Sequence, residues 1–381
     1  MAMKNKQRYL SEQVLTDLEK KMVFLGGPRQ VGKTTFSNLL YPKKDVDYLN
    51  WDIDLHRQNI LKKEFKNVST LIFDEIHKYR KWRNYLKGLY DLSKVSNHDK
   101  YRILVTGSAR LDYYRFGGDS LQGRYNYLRL MPLSFNEIKA HSTADLIELM
   151  KLSGFPEPFF NSNEKEAQRW TKQYASRLLY EDIRDLETVT DLGSIELLAQ
   201  NLNQYVGSPL SINNLKESLS VAHETVTKWI QILERLYLVF RITPFTGNLI
   251  KSSKKEQKIY FYNWIYIKDE GIRFENLIAV HLLKYCYWLE DTEGRNVTLH
   301  FTKQKNEGEI DFVICEDNNP FLFIEVKLSD QEVNPRLKFF KKKYPKAQFF
   351  QISLNGKKDY KTAEGVVVTP AANFFKIYPM V

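Results

Sequence analysis

The stretch Val23–Phe36, VFLGGPRQVGKTTF, joins an apolar run to a glycine-bearing turn and then to a segment that begins Lys-Thr-Thr. From Gly27 to Thr34 it matches the pattern G-x-x-x-x-G-K-[ST] at every specified position. In such a turn the glycines let the main chain approach a phosphate, and N–H groups at the start of the following helix meet its charge. The stretch therefore predicts a nucleotide-phosphate site between a buried strand and a helix.

The residues of this turn have distinct expected roles. Lys33 should reach the β- and γ-phosphate oxygens as a catalytic group, and Thr34 should offer its hydroxyl to Mg²⁺ as a metal ligand. The full set predicted to bind the nucleotide is Gly27, Pro28, Arg29, Gln30, Val31, Gly32, Lys33, Thr34 and Thr35. The alternative is a chance match in an ordinary strand-to-helix turn, and a second element further along the chain weighs against it.

That second element is TLIFDE, residues 70–75, an apolar run that ends in two carboxylates. Carboxylates at the end of a buried strand cost free energy unless a positive group meets them. Asp74 is therefore predicted to hold hydrated Mg²⁺ opposite Thr34, and Glu75 to polarise the water that attacks the γ-phosphate. The alternative is a strand whose polar residues merely mark its exposed end.

A third apolar run, ILVTGSAR at residues 103–110, ends in hydroxyl side chains. Thr106 or Ser108 would place a hydroxyl between Asp74 and the γ-phosphate, and we assign the catalytic role to Ser108.

An arginine near the nucleotide would stabilise the charge that develops on the transferring phosphoryl group, from the same chain or from a neighbouring subunit. Arg124 is the predicted catalytic arginine. Arg29 and Arg110 are further candidates for the same role. For each of the three, the alternative is an ordinary arginine on the protein surface.

Composition limits the classes of protein that the chain can belong to. A formal net charge of +11 suits an anionic partner, with nucleic acid first and an acidic membrane surface second. Cys286 and Cys315 form no CxxC pair, so a zinc site or a disulfide framework is not indicated. No apolar run reaches the ~18 residues that a membrane span needs, and the N-terminus lacks a secretory apolar region. We expect a cytoplasmic protein without a membrane partner.

Short apolar runs alternate with helix-like stretches from about residue 20 to 135. Runs of this kind are typical of strands buried on both faces of a parallel sheet with crossover helices. The fold class is therefore predicted as α/β, with helical segments after residue 136 and further strands near the C-terminus.

The segment Ser208–Ile242 has helix–turn–helix spacing, and a strand and a basic turn follow it. Its second helix, predicted near residues 224–236, would enter a DNA groove as in winged-helix proteins. The outward side chains would be Thr225, Thr227, Lys228 and Gln231, with Lys251, Lys254, Lys255 and Lys258 near phosphates on the wing. The alternative is a lid or docking surface that contacts no DNA.

A second set of charged residues lies in the C-terminal part, where Asp311 stands in one strand and Glu325 and Lys327 share a face of the next. Two carboxylates can hold Mg²⁺, and an ammonium can orient a water for phosphodiester hydrolysis. Glu275 and Glu309 are further candidates. This set resembles the restriction-endonuclease-like core, D-x(n)-E-x-K. A basic helix with Lys338, Lys341, Lys342 and Lys343 would bind phosphates beside it. The alternative is an ion pair on a solvated sheet face.

Five quoted segments together resemble one family: GGPRQVGKTTF, LIFDEIHKYRKW, LVTGSARL, SLQGRY…LMPLSFNEI and SGFPEP. The chain is similar over nearly its whole length to an AAA-type ATPase family of bacteria and archaea with a C-terminal domain of unknown function. The resemblance implies ATP as the nucleotide, with a winged-helix and a nuclease-like module in the tail.

The predicted organisation is a P-loop ATPase core (1–145), a helical linker (146–200), a winged-helix module (201–262) and a restriction-endonuclease-like α/β domain (263–381). The leading hypothesis is a Mg²⁺-dependent ATPase that uses ATP to control tail modules in contact with DNA. Two alternatives stay open: an ATP-gated DNA nuclease, and a non-hydrolysing switch that recruits a protein partner or associates with itself.

Overall fold

A computed structural model describes residues 8–95, 101–107, 121–182, 191–245, 256–304 and 308–378. The chain forms two compact units, Met1–Pro132 and Leu133–Val381.

The first unit is built on a parallel sheet of five strands in the order β2-β3-β4-β1-β5. Its strands are β1 (Met22–Gly26), β2 (Val46–Asn50), β3 (Thr70–Asp74), β4 (Arg102–Thr106) and β5 (Tyr125–Arg129). Every residue of β1 and β3 is buried, as the apolar runs in the sequence predict. Because all five strands are parallel, their carboxyl ends meet at one edge, where the loops that follow β1, β3 and β4 lie together.

Helices cover this sheet and close its core. They are α1 (Ser11–Leu18), α2 (Lys33–Leu39), α3 (Asp54–Lys62) and α4 (Trp82–Val95). One apolar cluster joins Phe24 of β1 and Phe73 of β3 to Trp82 and Leu86 of α4. Burial of this face fixes the strands, and so fixes the position of the loops at their carboxyl ends.

The second unit begins with a series of helices, α5 (Thr143–Leu152), α6 (Pro156–Asn161), α7 (Glu164–Arg177), α8 (Leu192–Asn201), α9 (Ile212–Leu219) and α10 (His223–Arg235). Local sequence sets where several of them start. Ser142 and Asp145 form a reciprocal capping pair at the start of α5. Ser211 accepts a hydrogen bond from the Asn214 N–H and caps α9, as its sequence position predicts.

A mixed sheet of eight strands follows, in the order β12-β13-β11-β10-β9-β8-β6-β7. Its strands are β6 (Val239–Pro244), β7 (Lys258–Phe261), β8 (Val297–Gln304), β9 (Gly308–Glu316), β10 (Asn319–Lys327), β11 (Gln348–Ser353), β12 (Tyr360–Lys361) and β13 (Val367–Pro370). The helices among them are α11 (Glu270–Glu293), α12 (Pro335–Lys343) and α13 (Ala371–Ile377). Strands β8, β9 and β10 are antiparallel neighbours, whereas β11 runs parallel to β10.

The hairpin of β6 and β7 belongs to this same sheet, because β6 pairs with β8 through Thr243 and His300. The predicted α/β class, with a parallel P-loop sheet followed by helices and a C-terminal mixed sheet, is confirmed. The division into four modules stays a prediction. Among the described residues no helix combines the length and apolar character needed to cross a membrane.

Candidate functional site

The phosphate loop, residues 27–34, follows β1 directly and leads into α2. Gly27 has a φ of +123°, and a Cβ at that position would lie 2.3 Å from the carbonyl oxygen of Leu130. Gly32, the residue before α2, has a φ of +94°. Both positions require glycine, since side chains rarely adopt these φ values and Gly27 has no room for one. The two glycines of the sequence pattern therefore shape the loop.

Lys33 folds back over the loop that precedes it. Its Nζ donates to the carbonyl oxygens of Gly27 at 2.9 Å and Pro28 at 2.7 Å, and the residue is only 8% exposed. The ammonium therefore lies over the concave side of the phosphate loop. Phosphate oxygens are stronger acceptors for an ammonium than these neutral carbonyls.

Arg8, which the sequence analysis missed, donates hydrogen bonds to the main chain at the phosphate loop. The guanidinium of Arg8, 6% exposed, donates to the carbonyl oxygens of Val31 at 3.0 Å and Met131 at 2.5 Å. Arg8 lies in none of the quoted segments. Only the approach of the N-terminal segment to the loop reveals its role.

Asp74, at the carboxyl end of β3, is the centre of a hydrogen-bond network. Its Oδ2 accepts from the Thr34 hydroxyl at 2.9 Å and from the Tyr48 hydroxyl at 2.6 Å, and its Oδ1 accepts from the Thr106 hydroxyl at 2.6 Å. The structure thus brings together Thr34 and Asp74, the two predicted Mg²⁺ ligands, with Thr106 beside them. A hydroxyl and a carboxylate are ligands that Mg²⁺ prefers, so the residues present fit the ion.

Tyr48, on β2, was not found by sequence reasoning. Burial raises the pKa of its hydroxyl above the ordinary value, and the hydrogen bond to Asp74 adds to the shift. Tyr48 therefore stays a neutral donor to the carboxylate.

Glu75 follows β3 with a left-handed φ of +57°. Its Oε2 lies 3.5 Å from Nε2 of His77 and 3.6 Å from Nζ of Lys78. Burial raises the pKa of Glu75, while the charge of Lys78 opposes that shift. A half-buried carboxylate that directly follows Asp74 in the chain can accept a hydrogen bond from water.

Arg124 does not lie at the phosphate loop of its own chain. Its guanidinium pairs with Asp91 at 2.8 Å, and its carbonyl accepts from the N–H of Met22 at the amino end of β1. The phosphate loop follows the opposite end of that strand, roughly 16 Å away at ~3.3 Å per residue. The expectation of a role within the same chain is therefore corrected, and a role toward a neighbouring subunit stays a prediction.

The other predicted residues of the nucleotide site are placed as follows. Arg29 is half-buried, Gln30 has a left-handed φ of +58°, and Thr35 is exposed at the start of α2. Ser108 and Arg110 lie outside the described residues.

In the second unit, α9 and α10 precede the hairpin β6–β7 in the order predicted for a winged helix. The apolar face of α10 is buried, while Lys228 and Gln231 are exposed and Thr225 and Thr227 are half-buried. Lys251, Lys254 and Lys255 lie outside the described residues. DNA contact through α10 stays a prediction.

The charged residues of the C-terminal part converge at one place. Asp311 on β9 accepts a hydrogen bond from the N–H of Val326 on the neighbouring β10 at 2.8 Å, and Nζ of Lys327 lies 2.6 Å from Oε1 of Glu325. Glu275 reaches the same region from α11. The alternation of β10 and its pairing with β9 bring this set together, as the sequence pattern predicts.

Strand β7 adds two residues that the sequence pattern does not contain. The hydroxyl of Tyr260 donates to Glu275 at 2.7 Å, and Nζ of Lys258 lies 3.7 Å from Glu275 and pairs with Glu309. The prediction that Lys258 faces phosphates on an exposed wing is wrong, because its side chain is 1% exposed. The acidic neighbours account for the difference, since a buried ammonium needs paired carboxylates.

Burial dominates the electrostatics of this set. Burial and the nearby charges of Glu275 and Glu325 raise the pKa of Asp311 well above its usual range. Burial likewise raises the pKa of Glu275. Within the ranges that the structure describes, no group of three or more His, Cys, Asp and Glu side chains is arranged to hold a metal ion. Glu275 and Glu309 face Lys258 instead, and Glu325 pairs with Lys327.

Some lysines of the basic helix α12 already interact with other residues of the second unit. Lys338 pairs with Glu364 at 3.0 Å, and Lys341 donates to the carbonyls of Pro345 and Ala347. Lys342 and Lys343 are exposed. The predicted phosphate-binding face is thus narrower than the run of lysines suggests.

Three segments of the chain match known families. Residues 19–139 match the family described as AAA domain, residues 143–264 match a domain of unknown function (DUF8612), and residues 270–374 match another domain of unknown function (DUF4143). The first match contains the phosphate loop, Asp74 and Glu75, and the third contains Asp311, Glu325 and Lys327.

Curated relatives include uncharacterized proteins of archaea and mycobacteria. A Methanocaldococcus jannaschii protein is 24% identical over 85% of this chain and 79% of its own length. A Mycobacterium tuberculosis protein is 28% identical over 66% of this chain, a match that spans 55% of that relative.

Solved structures with some likeness include the Walker-type ATPase of Pyrococcus abyssi (12% identity, 73% of this chain, 99% of that chain, TM-score 0.40). Another is the Aeropyrum pernix ORC1 protein in complex with DNA (12% identity, 72% of this chain, 91% of that chain, TM-score 0.31). TM-scores this low are too weak to bear on function.

Proposed function

Because the chain carries an AAA-type P-loop ATPase domain followed by two domains of unknown function, we propose that it binds ATP with Mg²⁺ at the phosphate loop and hydrolyses it. ATP-driven changes at this site would control the tail modules, in the way that γ-phosphate contacts order switch segments in other nucleotide-binding proteins. A cytoplasmic location stays a prediction.

One observation carries this proposal: the hydroxyl of Thr34 lies 2.9 Å from Oδ2 of Asp74, beside a loop whose lysine folds over its concave side. These groups come from chain positions forty residues apart. Their meeting at the carboxyl edge of a parallel sheet is the arrangement that a triphosphate and its metal require.

Each residue has a defined task in hydrolysis. When the nucleotide binds, the Lys33 ammonium leaves the loop carbonyls, donates to the β- and γ-phosphate oxygens and stabilises their charge. Thr34 and Asp74 would hold hydrated Mg²⁺, which when bound neutralises charge that develops on the phosphates. Glu75 orients the attacking water through its carboxylate. Ser108 and, from a neighbouring subunit, Arg124 remain proposed further contributors.

The test is Mg²⁺-dependent ATP turnover by Lys33→Ala. We expect a loss of about 100-fold or more, the scale on which removal of one transition-state donor acts. Lys44→Ala is the matched control, because Lys44 is an exposed lysine of the same unit, and its turnover should equal that of the unmodified protein. Equal turnover from Lys33→Ala would contradict the proposal. Tight ATP binding with turnover near zero, even with DNA, would favour the switch that recruits a protein partner.

A second function, metal-dependent cleavage of DNA, is favoured by the convergence of Asp311, Glu325 and Lys327 on adjacent strands. Asp311 and Glu325 would hold Mg²⁺, and Lys327 would orient the water. The expected result is nicking of plasmid DNA that Asp311→Ala and Lys327→Ala abolish. Lys376→Ala, an exposed lysine on α13, should nick normally. If no metal and no DNA form supports nicking, this second function is rejected.

A further inference from the structure

The acidic site of the second unit, defined here as Glu275, Glu309, Asp311 and Glu325, faces two ammonium groups. Lys327 belongs to the E-x-K pattern and pairs with Glu325 inside the same strand. The other ammonium comes from a different element, the hairpin strand β7, and no nuclease-like pattern in the sequence includes it.

Lys258 reaches this acidic site from β7. Its Nζ pairs with Glu309, lies 3.7 Å from Oε1 of Glu275, and is also attracted by the charge of Asp311. The ring centroid of Phe301 lies 5.3 Å from the same Nζ. With 1% of the side chain exposed, the ammonium is enclosed by acidic groups and an aromatic ring.

The site nevertheless retains unused capacity for a cation. The site holds four carboxyl groups and only two ammonium groups. The Oε2 atom of Glu325 is buried without a hydrogen-bond partner among the described residues, and Glu325 is 4% exposed. A buried carboxylate oxygen without a partner is costly, and a divalent cation would satisfy it.

An ammonium and a divalent cation cannot share these oxygens at low cost, because like charges a few ångströms apart in a buried site repel strongly. The described residues accordingly show no group of three or more acidic, His or Cys side chains arranged around a metal position. The carboxylates of Glu275 and Glu309 are directed to Lys258 instead.

We propose that Lys258 is a built-in competitor for divalent metal at the acidic site. While its ammonium lies on Glu275 and Glu309 the site excludes metal, and its withdrawal admits metal. This inference rests on the proposed nuclease-like function and describes its regulation. Among the described residues, β7 is the last strand of the sheet and pairs along its length with β6, while Lys258 and Ile259 also form single bridges to Pro209 and Val206.

The test is Mn²⁺ binding by the full chain without nucleotide, measured by titration calorimetry. All proteins carry Asp74→Asn, which removes the metal ligand of the nucleotide site. Lys258→Gln should bind Mn²⁺ at least tenfold more tightly than the Asp74→Asn parent, and adding Asp311→Asn should abolish that gain. Lys303→Gln is the matched control, because Lys303 on β8 pairs with an exposed glutamate outside the site. It should leave Mn²⁺ binding unchanged.

Equal Mn²⁺ affinity in folded Lys258→Gln and its parent would overturn the inference. Lys258→Met is the second variant, for the case that Lys258→Gln does not fold, because it also removes the ammonium but places an unbranched apolar side chain in the buried position. We expect Lys258→Met to raise Mn²⁺ affinity as Lys258→Gln does, whereas an unchanged affinity in the folded protein would contradict competition.

The same variants separate this inference from the proposals on which it rests. If Lys258→Gln binds Mn²⁺ but does not nick DNA, the proposed cleavage function is rejected, whereas the proposed competition between Lys258 and metal is supported. ATP turnover plays no part in the measurement, because the Asp74→Asn background lacks that metal ligand.

Discussion

Asp74 shows how much one residue of the nucleotide site depends on its neighbours. Thr34, Tyr48 and Thr106 all donate hydroxyl hydrogen bonds to its two oxygens. Thr34 and Tyr48 share the same oxygen, Oδ2. A metal ion held by Thr34 and Asp74 would therefore lie next to the Tyr48 hydroxyl, which orients the carboxylate without being part of any sequence pattern.

Tyr48→Phe tests this positioning role. The variant loses one hydrogen bond to a carboxylate, so we expect a several-fold higher Mg²⁺ concentration for half-maximal ATP turnover and a stability loss of about 1–3 kcal/mol. Tyr85→Phe is the matched control: it also loses one hydrogen bond, but that bond goes to the Ile60 carbonyl and not to Asp74. If both variants lose stability alike and neither changes the Mg²⁺ dependence, Tyr48 has no positioning role.

At the scale of elements, the phosphate loop depends on the strand beside it. The main chain of Gly27 approaches Leu130, the residue that follows β5, so closely that only a hydrogen fits between them. The carbonyl of Gly26 also accepts from the Leu130 N–H. The pairing of β1 with β5 thus sets the starting position of the loop.

Gly27→Ala should disrupt the loop, because its added Cβ would lie 2.3 Å from a carbonyl oxygen at a φ of +123°. We expect loss of ATP-analogue binding, measured by calorimetry, and destabilisation of at least about 1–3 kcal/mol in urea unfolding. Gly88→Ala is the matched control, since Gly88 lies within α4 and a Cβ there meets nothing within 4 Å. That substitution should stabilise the protein by up to about 1 kcal/mol. Normal nucleotide binding by Gly27→Ala would refute this account of the loop.

At the scale of the whole molecule, the segment after Pro132 is bound to the long helix α11 of its own unit. The N–H of Phe135 donates to Nε2 of His281 at 3.0 Å, and Lys284 pairs with Glu137 in a buried ion pair. Nδ1 of His281 lies 2.8 Å from the Leu277 carbonyl, so the ring is neutral with both nitrogens engaged. The PLSFNE stretch therefore has a structural role in the second unit.

This contact makes stability depend on pH. Burial lowers the pKa of His281 from 6.5 in the unfolded chain to about 4 in the folded protein. The stability that neutral His281 contributes is therefore complete above pH 6.5 and is lost as the pH falls toward 4. We expect about 2 kcal/mol of stability to be lost between pH 7.5 and 5 through this residue. Urea unfolding at both pH values checks this, with His281→Gln as the comparison. The variant should lose less stability over the same range, and an equal loss would contradict the assignment.

The chain's local patterns determined the phosphate loop, the carboxylates at the end of β3, the parallel character of the sheet in the first unit and the helix cap at Ser211. These features depend on residues close together in sequence, where side-chain period, glycine placement and capping chemistry act over one turn or one strand. The convergence of Asp311 with Glu325 and Lys327 was also predictable, because the two strands follow each other directly.

Tertiary structure alone decided the remaining contacts. Arg8 reaches the phosphate loop, Tyr48 reaches Asp74, and Lys258 is buried in the acidic site instead of lying on an exposed wing. Arg124 lies at the sheet edge opposite the phosphate loop. Each of these contacts depends on which strands or segments become neighbours and in what register. Register is set by packing of the whole core, and no short stretch of sequence carries that information.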